Sequence, residues 1–138
     1  METVTSLKKE NISIVQNAFD QFLKGNIPGV LDSCTEDVKW GAHENPGVPY
    51  AQTYSGKKGV ADFFATLADK IDYTAFQPKE FFSDANRVFV KGYHQATVKS
   101  TGKTFGHDFL MEFGMRDGKF SSFFAWVDSR EQANAFSN

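Results

Sequence analysis

Residues 87–128 read RVFVKGYHQATVKSTGKTFGHDFLMEFGMRDGKFSSFFAWVD, and this stretch decides the fold. From Arg87 to Lys99, Val88, Val90, Gly92, His94, Ala96 and Val98 occupy alternate positions. A period of two marks a strand with one face against a core. Ser100-Thr101-Gly102 supplies a turn. The next alternation places Phe105, His107, Phe109, Met111 and Phe113 on one face, and Asp117-Gly118 is a strong hairpin signal. A third strand over Lys119–Asp128 is expected to show Phe120, Phe124, Trp126 and Asp128 on one face. Three long strands joined by short turns imply an antiparallel meander. Its other face also carries apolar groups (Phe89, Tyr93, Leu110, Phe123 and Val127), whereas such sheets usually turn a polar face to water. That face is expected to pair with a second copy as a homodimer.

Upstream the period changes. Ile12, Val15, Phe19 and Phe22, with Ala18 and Leu23 beside them, step at helical spacing between Leu7 and Lys24, and Gly25-Asn26 stops the run. Asn26 as a cap and Pro28 in a first turn predict a short second helix that turns Val30-Leu31 inward. Val38-Lys39-Trp40 reads as a brief strand, and residues 43–59, punctuated by Pro46, Gly47, Pro49, Gly56 and Gly59, as a long loop. A third helix from about Lys57 to Lys70, with Ser55 as a plausible cap, follows the stripe Val60, Phe63, Phe64, Leu67 and Ile71. Asp72–Phe82 is a further strand in which Pro78 marks an edge or a bulge. Helices first and strands after give an α+β fold: about three N-terminal helices covering a curved antiparallel sheet. The whole chain, residues 1–138 with a core over about 7–135, is one domain.

Composition narrows the function. Lys and Arg number 15 and Asp and Glu 17, for a net charge of -2, and the basic residues are dispersed. No footprint for nucleic acid results. No apolar run approaches the ~20 residues needed to cross a bilayer. Met1, Glu2 and Thr3 open a polar start without an apolar leader, and the single Cys34 fits a reducing compartment. A cytoplasmic protein is the expectation. Phe accounts for 15 of 138 residues, and so many rings must be buried, line a cavity or pair across an interface.

The Tyr54-Ser55-Gly56 segment before the third helix, the Arg116-Asp117-Gly118-Lys119-Phe120 hairpin and the closing Trp126-Val127-Asp128-Ser129 together resemble the SnoaL-like branch of the nuclear transport factor 2-like superfamily, the ketosteroid-isomerase-like fold. The resemblance implies a cone-shaped, cystatin-like α+β barrel, often dimeric, with an apolar pocket between sheet and helices. It hosts isomerases, cyclases, dehydratases, epoxide hydrolases and non-catalytic binders, so the site must decide the chemistry. Steroid isomerases of this kind use a first-helix Tyr and an Asp after the first strand. The matching regions here hold Phe19 and Phe22, and Gly41 to Glu44. Limonene-epoxide hydrolases use an Arg-x-Asp pair and a late Asp. Those positions hold Gly92 and His94, and Asp128.

His94 and Asp128 are therefore the candidate catalytic groups. An imidazole near pKa 6.5 can take a proton at neutrality, with Gly92 leaving room for a ligand or a neighbouring ring; the plainer reading is a core histidine. Asp128 either orients His94 or caps the tail after Ser129. One intervening strand would set their backbones ~10 Å apart. Trp40, Phe64, Phe109, Met111 and Trp126 are expected as an aromatic, soft pocket wall, with His43 and Tyr54 closing its mouth. His43, His94 and His107 lack metal-ligand spacing, so neither metal nor cofactor is expected. The function expected is binding of a small apolar molecule, cyclic or polyketide-like, with proton transfer of the isomerase, cyclase or dehydratase type. The alternative is a non-catalytic ligand-binding or dimerisation module.

Overall fold

The computed structural model describes residues 4–138; the polar start at Met1, Glu2 and Thr3 lies outside the described residues. Helix α1, Val4–Leu23, forms on the stripe read above: Val15, Ala18 and Phe19 are buried, Ile12 and Phe22 flank them, and Leu23 is exposed. Gly25 ends it at φ +78°, a left-handed position without penalty for a residue lacking Cβ. The Asn26 side chain accepts the Gly29 N–H at 3.3 Å and caps α2, Ile27–Asp32.

Strand β1, Cys34–Ala42, is three times the length expected from Val38–Trp40, since Thr35-Glu36-Asp37 conceals its start behind polar side chains. The loop is shorter than expected, because Thr53–Ser55 forms β2 on the edge of β1. Helix α3 spans Gly56–Lys70. Ser55 sits at its N-cap position without a side-chain cap bond; its hydroxyl instead accepts from Lys39 Nζ at 3.1 Å. Val60, Phe64 and Leu67 are the buried face of α3.

Strands β3 (Ile71–Ser83), β4 (Arg87–Val98), β5 (Thr104–Arg116) and β6 (Lys119–Trp126) then form the antiparallel meander. Sheet order is β2-β1-β6-β5-β4-β3. The sheet is antiparallel-rich but mixed: β1 runs parallel to β6. It is curved and unclosed, with β2 and β3 as edges. Pro78 lies on edge strand β3 at a register shift, where its missing N–H costs no ladder bond. Asp117 at φ 52° and Gly118 at φ 77° make the tight β5–β6 turn.

Strand β6 departs from strict alternation. Met115 pairs with Phe120 and Gly114 with Ser122, so Ser121 is an extra residue bulged out of the ladder. One inserted residue exchanges the two faces beyond it. Phe120, Phe123 and Ala125 are therefore buried, whereas Phe124 is half-buried and Trp126 is 39 % exposed. The expected inward face of Phe124, Trp126 and Asp128 is corrected accordingly. The tail is also more ordered than one turn: α4, Ser129–Phe136, buries Gln132 and Ala135.

Curvature brings the sheet ends together. Strands β1 and β3 lie four spacings apart, about 19 Å across a flat sheet. Yet Trp40 of β1 and Tyr73 and Phe76 of β3 line one cavity, with Met111 and Phe113 of β5 and Phe123 of β6 between them.

Candidate functional site

The cavity lies between the concave sheet face and helices α1, α2 and α3. Ala18, Phe19 and Phe22 come from α1, Val30 from α2, and Phe63, Phe64 and Leu67 from α3. Its volume is about 60 Å³, roughly two waters' worth of liquid. Phe22, Phe63, Tyr73 and Phe76 are the half-buried rings of the wall, and a guest larger than this volume would require them to turn. Among its thirteen lining residues, Trp40 and Tyr73 alone carry a side-chain nitrogen or oxygen. Trp40 stacks on Phe123 at 4.3 Å and 23° and meets Phe64 at 5.7 Å. Its Nε1 is buried without a hydrogen-bond partner, which costs about 1–3 kcal/mol.

His94 is one ring removed from this cavity. It is 3 % exposed, and neither ring nitrogen has a partner. Tyr73 and Phe76 both line the cavity and contact His94, with ring centroids at 5.6 and 6.0 Å. His107 stands edge-on at 4.6 Å and Phe109 lies at 5.2 Å. The room over Gly92 is taken by a ring: a Cβ there would fall 2.5 Å from Phe109 Cζ and 2.4 Å from the Gln77 carbonyl oxygen. His94 is thus a buried imidazole in a box of rings.

The structure brings Trp40, Phe64 and Met111 of the expected wall together. Phe109 packs between His94 and Phe76, behind the lining. Tyr54 sits near the rim, with its ring against Phe63 at 5.5 Å and its hydroxyl donating to the Tyr50 carbonyl at 3.3 Å. His43 and Trp126 are elsewhere: both pack on Phe124, at 4.9 and 4.7 Å, and the bulge at Ser121 has turned Phe124 and Trp126 outward. Asp128 is exposed and caps α4 by accepting the Glu131 N–H at 3.0 Å. Its carboxylate is occupied at a helix start, and it shares no hydrogen bond with His94.

Sequence reasoning missed a buried polar chain. His107 Nδ1 lies 2.9 Å from the Asp108 carbonyl, which accepts its proton, so Nε2 is left to accept from the Gln132 amide at 3.0 Å. Gln132 Oε1 accepts from the Tyr50 hydroxyl at 3.0 Å. Tyr50 and Gln132 are 8 % and 4 % exposed, and the chain ties the 43–52 loop to α4 and β5. Asn45 reinforces it by donating to the Ser129 carbonyl at 2.9 Å. Tyr50 lies in the stretch read as a long loop, and its partner is 82 positions away. No local pattern signals such a contact.

The SnoaL-like domain family matches residues 15–123. The chain belongs to that family. Among solved structures, an NTF2-like protein from Burkholderia xenovorans superposes with a TM-score of 0.86 at 28 % identity, over 94 % of this chain and 98 % of that one. TerC, co-crystallised with polyporic acid, gives 0.80 at 25 % identity over 94 % and 99 %. A putative polyketide cyclase from Xanthomonas campestris pv. campestris gives 0.78 at 18 %, over 96 % and 100 %, a likeness of fold. No curated protein matches.

Cys34 of this SnoaL-like chain lies outside the cavity lining. Burial pushes the Cys34 thiol up to about 11, and its Sγ lies 3.5 Å from the Val30 carbonyl, so it packs as a small hydrophobe. Among the described residues no three His, Cys, Asp or Glu side chains converge as metal ligands, and no helix is long and apolar enough to cross a membrane.

His94 is different. Burial first, and the neighbouring His107 second, lower its pKa from 6.5 to about 3. Between those values the unfolded chain protonates this imidazole and the folded chain does not. The unfolded state binds more protons there, so the contribution is present above about pH 6.5 and is lost as pH falls toward 3. Urea unfolding at about pH 6.5 and about pH 5 checks this. The stability of wild type is expected to fall by about 1–2 kcal/mol more than that of His94→Phe; equal losses would contradict the assignment.

Proposed function

We propose that this SnoaL-like protein binds a small, apolar, cyclic or polyketide-like molecule in the cavity between its sheet and helices. The observation that carries the reading is the wall itself: aromatic and aliphatic side chains from seven elements converge on one space with only Trp40 and Tyr73 as polar members. Apolar enclosure with few polar groups is the usual form of a small-molecule site. TerC, seen with polyporic acid, and the putative polyketide cyclase of the same fold support it. Ala18→Leu adds three carbons to the α1 wall without adding a polar atom. Calorimetric titration with naphthalene is expected to show binding to wild type and at least about tenfold weaker binding to the variant. Equal binding to both would remove the cavity from the account.

Proton transfer beside a carbonyl is the second reading, and the unpartnered His94 favours it. A pKa near 3 makes it a weak base but leaves a neutral imidazole able to donate a hydrogen bond to a developing oxyanion. Binding without chemistry stands ahead, since Asp128 is engaged at the α4 cap and His94 is screened by Tyr73 and Phe76. Deuterium exchange at the α-carbons of 2-tetralone separates the two. Exchange above buffer that is lost in His94→Gln would establish proton transfer; exchange at the buffer rate leaves binding alone.

A further inference from the structure

Trp40 is the one residue of the cavity lining with a side-chain nitrogen, and that nitrogen has no partner among the described residues. The residue is 3 % exposed and its Nε1 is sealed from solvent. The indole cannot easily turn to find one: Phe123 stacks on its face at 4.3 Å, and Phe113 stands at 80° to it at 6.4 Å. Strand β1 is paired on both sides at this position, with Tyr54 of β2 and Phe123 of β6, so the local main chain is committed to the sheet. A phenylalanine would pack the same wall without an orphaned donor.

We propose that Trp40 is the polar recognition group of the cavity, its indole N–H donating to an acceptor oxygen on an otherwise apolar ring ligand; this rests on the binding reading above. The chemistry of the wall defines the class further. An indole N–H donates and cannot accept, so the ligand presents a lone pair. None of the lining residues is charged, and an ionised carboxylate moved there would lose its hydration without a counter-charge. The ligand is therefore neutral: a ring ketone, quinone or aryl ether. Tyr73, across the cup on β3, is the wall's one hydroxyl-bearing residue and the candidate second polar contact for a molecule with oxygens at both ends.

Two probes of nearly the same shape test this: acetophenone, which has the carbonyl, and α-methylstyrene, which has a methylene in its place. The two tryptophan indole N–H signals are followed by NMR, assigned with Trp126→Phe, a change at an exposed site. Acetophenone is expected to bind about five- to tenfold tighter than α-methylstyrene, the worth of one net hydrogen bond, and to move the Trp40 indole proton downfield. Trp40→Phe is expected to abolish the preference while retaining α-methylstyrene. If both probes bind wild type alike, or the indole proton stays in place at saturation, the Trp40 proposal is overturned and the cavity stands. If neither probe binds, the binding reading falls and this proposal falls with it. Should Trp40→Phe not fold, the indole shift and the affinity ratio in the otherwise native chain decide alone.

Discussion

A six-stranded sheet that bends until β1 and β3 line one apolar space leaves a gap across its concave face that large side chains must fill. Strand β1 and strand β3 meet across that space through Trp40, Tyr73 and Phe76, and the gap between them is filled by rings at centroid distances of 4.3–6.4 Å. The abundance of Phe follows from this geometry. Offset and edge-on ring pairs add to the area term wherever they form. The bends are made where the ladders slip: at Tyr73/Ala75 and Pro78/Glu80 on β3, and at Ser121 on β6. Helices α1 and α3 then close the cup with stripes that continue the same packing.

Burial on that scale sets the electrostatics of everything inside. His94 lies on the concave face among aromatic rings, and no described carboxylate pairs with it to hold a proton. Its imidazole is therefore neutral across the physiological range. Trp40 is held by the same packing with its N–H unmatched. His107, facing His94 across the β4–β5 ladder, avoids that fate because α4 brings Gln132 to it and the loop brings Tyr50 to Gln132. Two buried histidines on neighbouring strands thus differ because only one is within reach of the C-terminal helix.

Much of this was legible in the chain. Alternation from Val88 to Val98 and from Phe105 to Phe113 named the concave face correctly, since both strands keep strict period two there. The stripes of α1 and α3, the Asn26 cap and the Asp117-Gly118 turn depend on neighbours within one or two turns, and so they too could be read. Strand β6 could not, because a single bulged serine exchanges its faces and nothing in Ser121-Ser122 says which residue leaves the ladder. That error carried Trp126 and Asp128 into the expected pocket. Asp128 is the N-cap of α4, which is the tail-capping alternative the sequence offered beside the pocket one. The Tyr50–Gln132–His107 chain joins residues remote in sequence, and pattern gives no access to it.

The central claim is that the concave interior, not the outer sheet face, receives small apolar molecules. Methyl NMR on addition of α-methylstyrene tests it most directly. Val30, Leu67 and Met111 report on the cavity, Val88 and Val98 on core outside its lining, and half-buried Leu110 on the outer face. The account predicts saturable shifts at Val30, Leu67 and Met111, with the other three unmoved. Shifts confined to Leu110, with the cavity methyls silent, would contradict it.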